Sequence, residues 1–157
     1  MRTGAVLVVL AAAFAAGCGG GGESAAPAQR PVEFLEVLFG HLYRGEHAQA
    51  WSSLYPAHQE VVPRREYVAC ERRTPPFTGT LERVELLAAR EERWRVAGEE
   101  RPRESTAVTY RITVSLDGDP ERVTGSGHLV AVDGAWHWIL KPSDFDAYRA
   151  GRCPVTG

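Results

Sequence analysis

Three cysteines carry the most chemistry by type and position: Cys18, Cys70 and Cys153. An exported chain with an odd cysteine count leaves one thiol unpaired unless that thiol has another use. Cys18 closes the run Ala15-Ala16-Gly17-Cys18 at the end of an apolar leader, whereas Cys70 and Cys153 both lie in the expected folded part. The expectation is a Cys70–Cys153 disulfide in an oxidising compartment, with two buried free thiols as the alternative. Closing so long a loop would stabilise a domain by roughly 4 kcal/mol in the chain-entropy model. No CxxC or Cys/His spacing marks a zinc site, and no metal or cofactor is expected.

The other candidates are weaker. His41, His47, His58, His128 and His137 are scattered, with no pair at the i, i+4 spacing of helical metal ligands, so each reads as a surface or hydrogen-bonded histidine. The acid runs Glu91-Glu92 and Glu99-Glu100 read as solvated surface. Gly125-Ser126-Gly127 shares part of a nucleophile elbow but lacks the full G-x-S-x-G and stands inside a strand, where a bulge or close backbone approach accounts for the glycines better. Tyr110 could serve as a hydrogen-bond donor in an isomerase-like site, yet its strand neighbours supply no carboxylate base. The aromatic set Trp51, Tyr55, Tyr110, Trp136 and Trp138 has two readings, core packing or the lining of an apolar pocket.

Length and composition bound what can position these groups. The chain has 157 residues, 44% of them hydrophobic, and a formal net charge of −2, which suits one globular domain plus a leader. Removing the leader takes away Arg2, its one charged residue, and makes the remainder slightly more acidic. That balance argues against nucleic acid as a partner.

Residues 1–17 have the parts of a signal peptide: a basic start at Arg2, an apolar run from Ala5 to Ala16, and small residues before a cleavage point. The run is shorter than the roughly 20 residues a bilayer span needs. Its end, Ala15-Ala16-Gly17-Cys18, resembles the lipobox of bacterial lipoproteins, with Ala15 where leucine is usual. The resemblance implies a diacylglyceryl group on Cys18, cleavage just before it, and a cell-membrane location on the extracytoplasmic face. Cleavage after Ala15 by ordinary signal peptidase, leaving Cys18 a free thiol, is the alternative. Residues 18–30 then form the lipidated cysteine and a Gly/Ala/Pro tether, spanning roughly 20 Å as a flexible coil. Two acyl chains give a stable anchor where one is marginal.

Residues 31–157 are the expected domain. Pro31 suits a first helical position, Leu35, Leu38, Phe39 and Leu42 form one apolar helix face, and Gly45 stops it. A second short helix begins near Glu46 and ends at Tyr55-Pro56; a third starts at Pro63 and carries Tyr67, Val68 and Cys70. The stretch from Trp51 to Cys70 is thus the corner where helices fold over a sheet. A loop over residues 72–79 follows. Alternation then predicts a strand with Val84, Leu86 and Ala88, an exposed charged excursion over 90–95 and beyond, and a strand from Thr106 to Leu116. Next come a hairpin at Asp117-Gly118 lengthened by Asp119-Pro120, a strand from Arg122 to Val132, a turn at Asp133-Gly134, and a strand from Ala135 to Lys141. Ser143 and Asp146 mark a capping box for a closing helix that carries Phe145 and Tyr148 and stops at Gly151.

This order is α+β: N-terminal helices packed on a curved, mainly antiparallel sheet, with a short C-terminal helix. The segments GEHAQAWSSLYPAHQEVVP, VDGAWHWIL and DFDAYRAGRCP resemble those of small NTF2-like domains in actinobacterial lipoproteins, over about residues 31–153. The resemblance implies a long first helix lying over a cone-shaped sheet. That superfamily includes enzymes such as ketosteroid isomerase and scytalone dehydratase and many members without known activity, so fold alone does not decide function. The expected function is a membrane-anchored accessory or binding domain, non-catalytic, whose partner is an apolar small molecule or an envelope protein. The alternative is a small-pocket enzyme of isomerase or dehydratase type.

Overall fold

The computed structural model describes residues 26–73 and 79–154. The leader, Cys18, most of the tether and residues 74–78 of the loop lie outside the described residues. Four helices come first: α1 (Pro31–Tyr43), α2 (His47–Ser52), α3 (Pro56–Val61) and α4 (Arg64–Arg73). The strands β1 (Thr80–Trp94), β2 (Arg103–Leu116), β3 (Asp119–Val132) and β4 (Ala135–Trp138) follow, and α5 (Pro142–Arg149) closes the chain. The strands form one open antiparallel sheet in the order β1-β2-β3-β4. This is an α+β fold.

Pro31 begins α1 where its missing N–H costs nothing, and Glu33 reaches back to accept from the backbone N–H and side chain of Arg30. Gly45 ends the helix at φ 69°, donating its N–H to the Leu42 carbonyl. The buried face of α1, Phe34, Leu35, Leu38, Phe39 and Leu42, packs on Val84, Val108, Ile112, Val114 and Leu129 of the sheet. Register puts Trp138 opposite Leu129, and Leu129 opposite Thr106, so Trp136 and Trp138 share the face of Val108, Tyr110 and Ile112. Both indoles pack against that core.

Several boundaries differ from the sequence reading. Helical structure does break before Pro56, with α2 ending at Ser52, but Pro56 then opens a further helix, α3, ahead of the expected start at Pro63. The charged run over residues 90–95 is no excursion. It continues β1 to Trp94, with Glu91 opposite Thr106 and Arg93 opposite Glu104, because an edge strand can carry charge without exposing an apolar face. The β2–β3 turn is two residues long, with Asp117 at φ 52° and Gly118 at φ 94°. Asp119 and Pro120 belong to β3, where proline is tolerated because β4 pairs only with Leu129 to Val132 and does not reach it. β4 stops at Trp138, three residues early, because the backbone N–H of Leu140 turns away to the ring of His58. Helix α5 starts at Pro142 with Lys141 as its cap, and Ser143 Oγ donates to Asp144, so the Ser143–Asp146 box does not form. Gly125 shows the close approach anticipated for the glycine pair: a Cβ there would lie 2.7 Å from the Tyr110 ring, and β2 and β3 pair past it without a bulge.

Candidate functional site

The corner from Trp51 to Cys70 locks helices to sheet through the edge of β4. Trp138 N–H donates to the Ser53 carbonyl and its own carbonyl accepts from Tyr55 N–H, so one stretch of backbone extends the sheet past β4. The indoles add reach: Trp51 Nε1 donates to the Val62 carbonyl at 2.8 Å, and Trp138 Nε1 to Ala50 at 3.1 Å. Trp136 Nε1 donates to the Gln29 carbonyl at 2.7 Å, tying the start of the described chain to β4.

The five aromatics offered as a pocket wall do not converge. Trp51 belongs to the cluster of Leu54, Val62, Tyr67, Leu140 and Phe145; Tyr110 and Trp136 to the cluster under α1; Trp138 touches both. Tyr55 lies in a third cluster with Val96 and Val130. Tyr110 fills space over Gly125, its ring 4.8 Å from that of Phe39. Each of these rings is accounted for by packing.

His58 is the hub of the corner and is fully buried. Leu140 N–H donates to its Nδ1 at 3.1 Å, which leaves Nε2 protonated and donating to the Ala97 carbonyl at 3.0 Å. Both ring nitrogens are used, and burial holds the imidazole below its ordinary pKa, so it stays neutral. Beside it Tyr55 O–H donates to Glu99, Glu99 pairs with Arg103 at 3.0 Å, and Arg103 lies over the Tyr55 ring at 4.8 Å. Burial, then that hydrogen bond, pushes the phenol up to about 12.

Sequence reasoning missed these pairings. It read Glu92 and Glu99 as solvated surface, yet Glu92 accepts from His128 Nε2 at 2.7 Å, with Trp94 stacked 4.0 Å from that ring. The partners stand 36 and 44 residues apart, so no local signal marks them. His41 pairs with Glu46, whose carboxyl is held at about 2 by Arg44 and then His41, and His137 faces the Leu54 carbonyl at 3.3 Å. Among the described residues no group of three or more His, Cys, Asp or Glu is gathered as a metal site.

Helix α4 carries two opposed faces. Its inner face buries Tyr67 and brings Cys70 to Cys153, and the two form a disulfide across 83 residues. Near that face Glu71 accepts from Tyr148 O–H at 3.2 Å, and burial raises its carboxyl pKa. The outer face is different. Arg64, Arg65, Val68, Ala69 and Arg72, with Ala48 of α2, line an open groove of about 600 Å³. At about 100° per residue these five α4 positions span roughly 140° of the helix, an arc that excludes Glu66 and Glu71. The three guanidinium groups make no ion pair or side-chain hydrogen bond among the described residues.

His47, at the start of α2, lies within the field of this groove. It is 6% exposed, and its Nδ1 has no hydrogen-bond partner among the described residues. Burial first, then the charge of Arg72, lowers its pKa. A neutral imidazole and an unpaired arginine cluster therefore adjoin across α2 and α4.

A scan against protein-family models finds no match for this chain, and a search of curated proteins finds no relative.

Proposed function

We propose that the protein is a lipid-anchored, extracytoplasmic binding domain of NTF2-like type. The observation that carries this reading is the Cys70–Cys153 disulfide. A structural disulfide belongs to an oxidising compartment, and once it takes two of the three cysteines, Cys18 is left for acylation at the end of its lipobox-like run. The helices over an antiparallel sheet supply the coarse architecture that an NTF2-like cone would elaborate. The role is binding because the polar groups of the corner are already paired with one another, whereas the charges of the α4 groove have no partner among the described residues.

A second reading, an acid–base enzyme, has one observation in its favour: Glu71 is half-buried with a raised pKa beside a tyrosine. Its geometry favours structure, since Tyr148 O–H bonds directly to the carboxyl and leaves no gap between acid and donor for a substrate. Fractionation decides between anchored and soluble forms. Wild-type chain should partition with membranes, and Cys18→Ala should appear in the soluble fraction or as an uncut precursor. Unchanged membrane partition of a processed Cys18→Ala chain would overturn the anchor.

A further inference from the structure

We infer that the α2–α4 groove seats the domain on an anionic lipid surface, with Arg64, Arg65 and Arg72 against headgroup phosphates and the exposed Ala69 toward the interface. The inference rests on the anchored reading for its geometry, because a tether of about a dozen residues reaches roughly 20 Å and keeps the domain within headgroup range.

Charge is the first argument. The chain is net acidic, so attraction to an anionic surface must come from a local patch, and this face carries three arginines within an arc that has no carboxylate. Arg64 and Arg65 also occupy the first turn of α4, where the positive end of the helix dipole disfavours cations. The helix gains nothing from them there. The corner a few residues away shows what this fold does with arginine when it uses it structurally: Arg103 is paired with Glu99 and packed on Tyr55.

Shape is the second argument. From Arg64 to Arg72 is about 12 Å along the helix, so the three side chains are spread along the groove over a length that adjacent headgroups can match. The groove is open, and its floor is apolar between the charges.

The test uses the full chain carrying Cys18→Ser, which cannot receive the anchor. Its affinity is measured for vesicles of phosphatidylcholine alone and for vesicles carrying phosphatidylglycerol, at low ionic strength. Any hydrophobic contribution of the N-terminal segment is common to both, so the readout is the ratio. Each basic residue near an anionic surface strengthens binding about fivefold, so three predict a ratio on the order of a hundred. Arg64→Gln with Arg65→Gln and Arg72→Gln should bring the ratio near one without changing the melting temperature. Removing three exposed arginines elsewhere, Arg95→Gln, Arg101→Gln and Arg122→Gln, should leave it high. A wild-type ratio near one, or a ratio that survives the groove substitutions, overturns the inference. So does release from the vesicles by millimolar inorganic phosphate that also raises the melting temperature, which would make a free anion the ligand. Because this chain lacks the anchor, failure here leaves acylation of Cys18 to be judged separately by membrane fractionation.

Discussion

The His58 corner and the outer face of α4 lie within one stretch of some twenty residues and use polar groups in opposite ways. Around His58 the ring nitrogens and the Tyr55, Glu99 and Arg103 side chains are spent on partners across the start of α3, the β1–β2 loop, the first residue of β2 and the chain after β4. On α4, three arginines face a groove and have no ion-pair partner among the described residues. Buried polar groups with satisfied valences specify a fold; clustered exposed charges without partners are free to meet something else. The comparison separates residues whose loss should unfold the protein from residues whose loss should change only what it binds.

The largest effect should come from breaking the corner at its centre. Trp138→Ala removes an indole shared by two core clusters, with its hydrogen bond to the Ala50 carbonyl, and should lower stability by about 5 kcal/mol in urea unfolding. Cys70→Ser with Cys153→Ser should cost about 4 kcal/mol, seen as the same loss on adding reductant to the wild-type chain. His58→Ala strands the Ala97 carbonyl and Leu140 N–H and should cost about 3 kcal/mol.

The same ring gives a pH signature. Its folded pKa is depressed, so below about pH 6.5 the unfolded chain binds a proton that the folded chain resists, and stability falls as pH drops from 7 towards 5. His58→Gln should flatten part of that slope. Glu71 has the opposite sign: its raised carboxyl pKa makes the folded state gain stability as pH falls through that value, and Glu71→Gln should remove the gain. Denaturant midpoints across pH 4 to 8 separate the two. The smallest change in stability, within about 0.5 kcal/mol, is expected for the arginine substitutions in the groove. A large loss there would erase the distinction between the two regions.

How far the sequence reaches follows the same division. The face of α1, the alternation of β2, the shared side of Trp136 and Trp138, and the pairing of Cys70 with Cys153 were legible because period and cysteine count act locally or by arithmetic. Helix α3 was missed because Pro56 reads as a stop until the chain before it is seen to turn. The full length of β1 was missed because its charges lie along a sheet edge, where tertiary pairing overrides composition. The Tyr55–Glu99–Arg103 and Glu92–His128 pairings depend on chain crossings that no spacing records. The groove was hidden for another reason. Arg64, Arg65 and Arg72 look like ordinary surface charge until α2 is placed beside α4 and the three line one groove.

Two covalent features underlie the proposed anchoring and the fold: acylation of Cys18 and the Cys70–Cys153 disulfide. Intact mass spectrometry of the protein extracted from membranes, run with and without reductant, tests both at once. The account predicts a chain beginning at Cys18, heavier than its sequence by a diacylglyceryl-type modification, that gains two hydrogens on reduction. An unmodified chain beginning at Ala16, or one whose mass does not change with reductant, would contradict it.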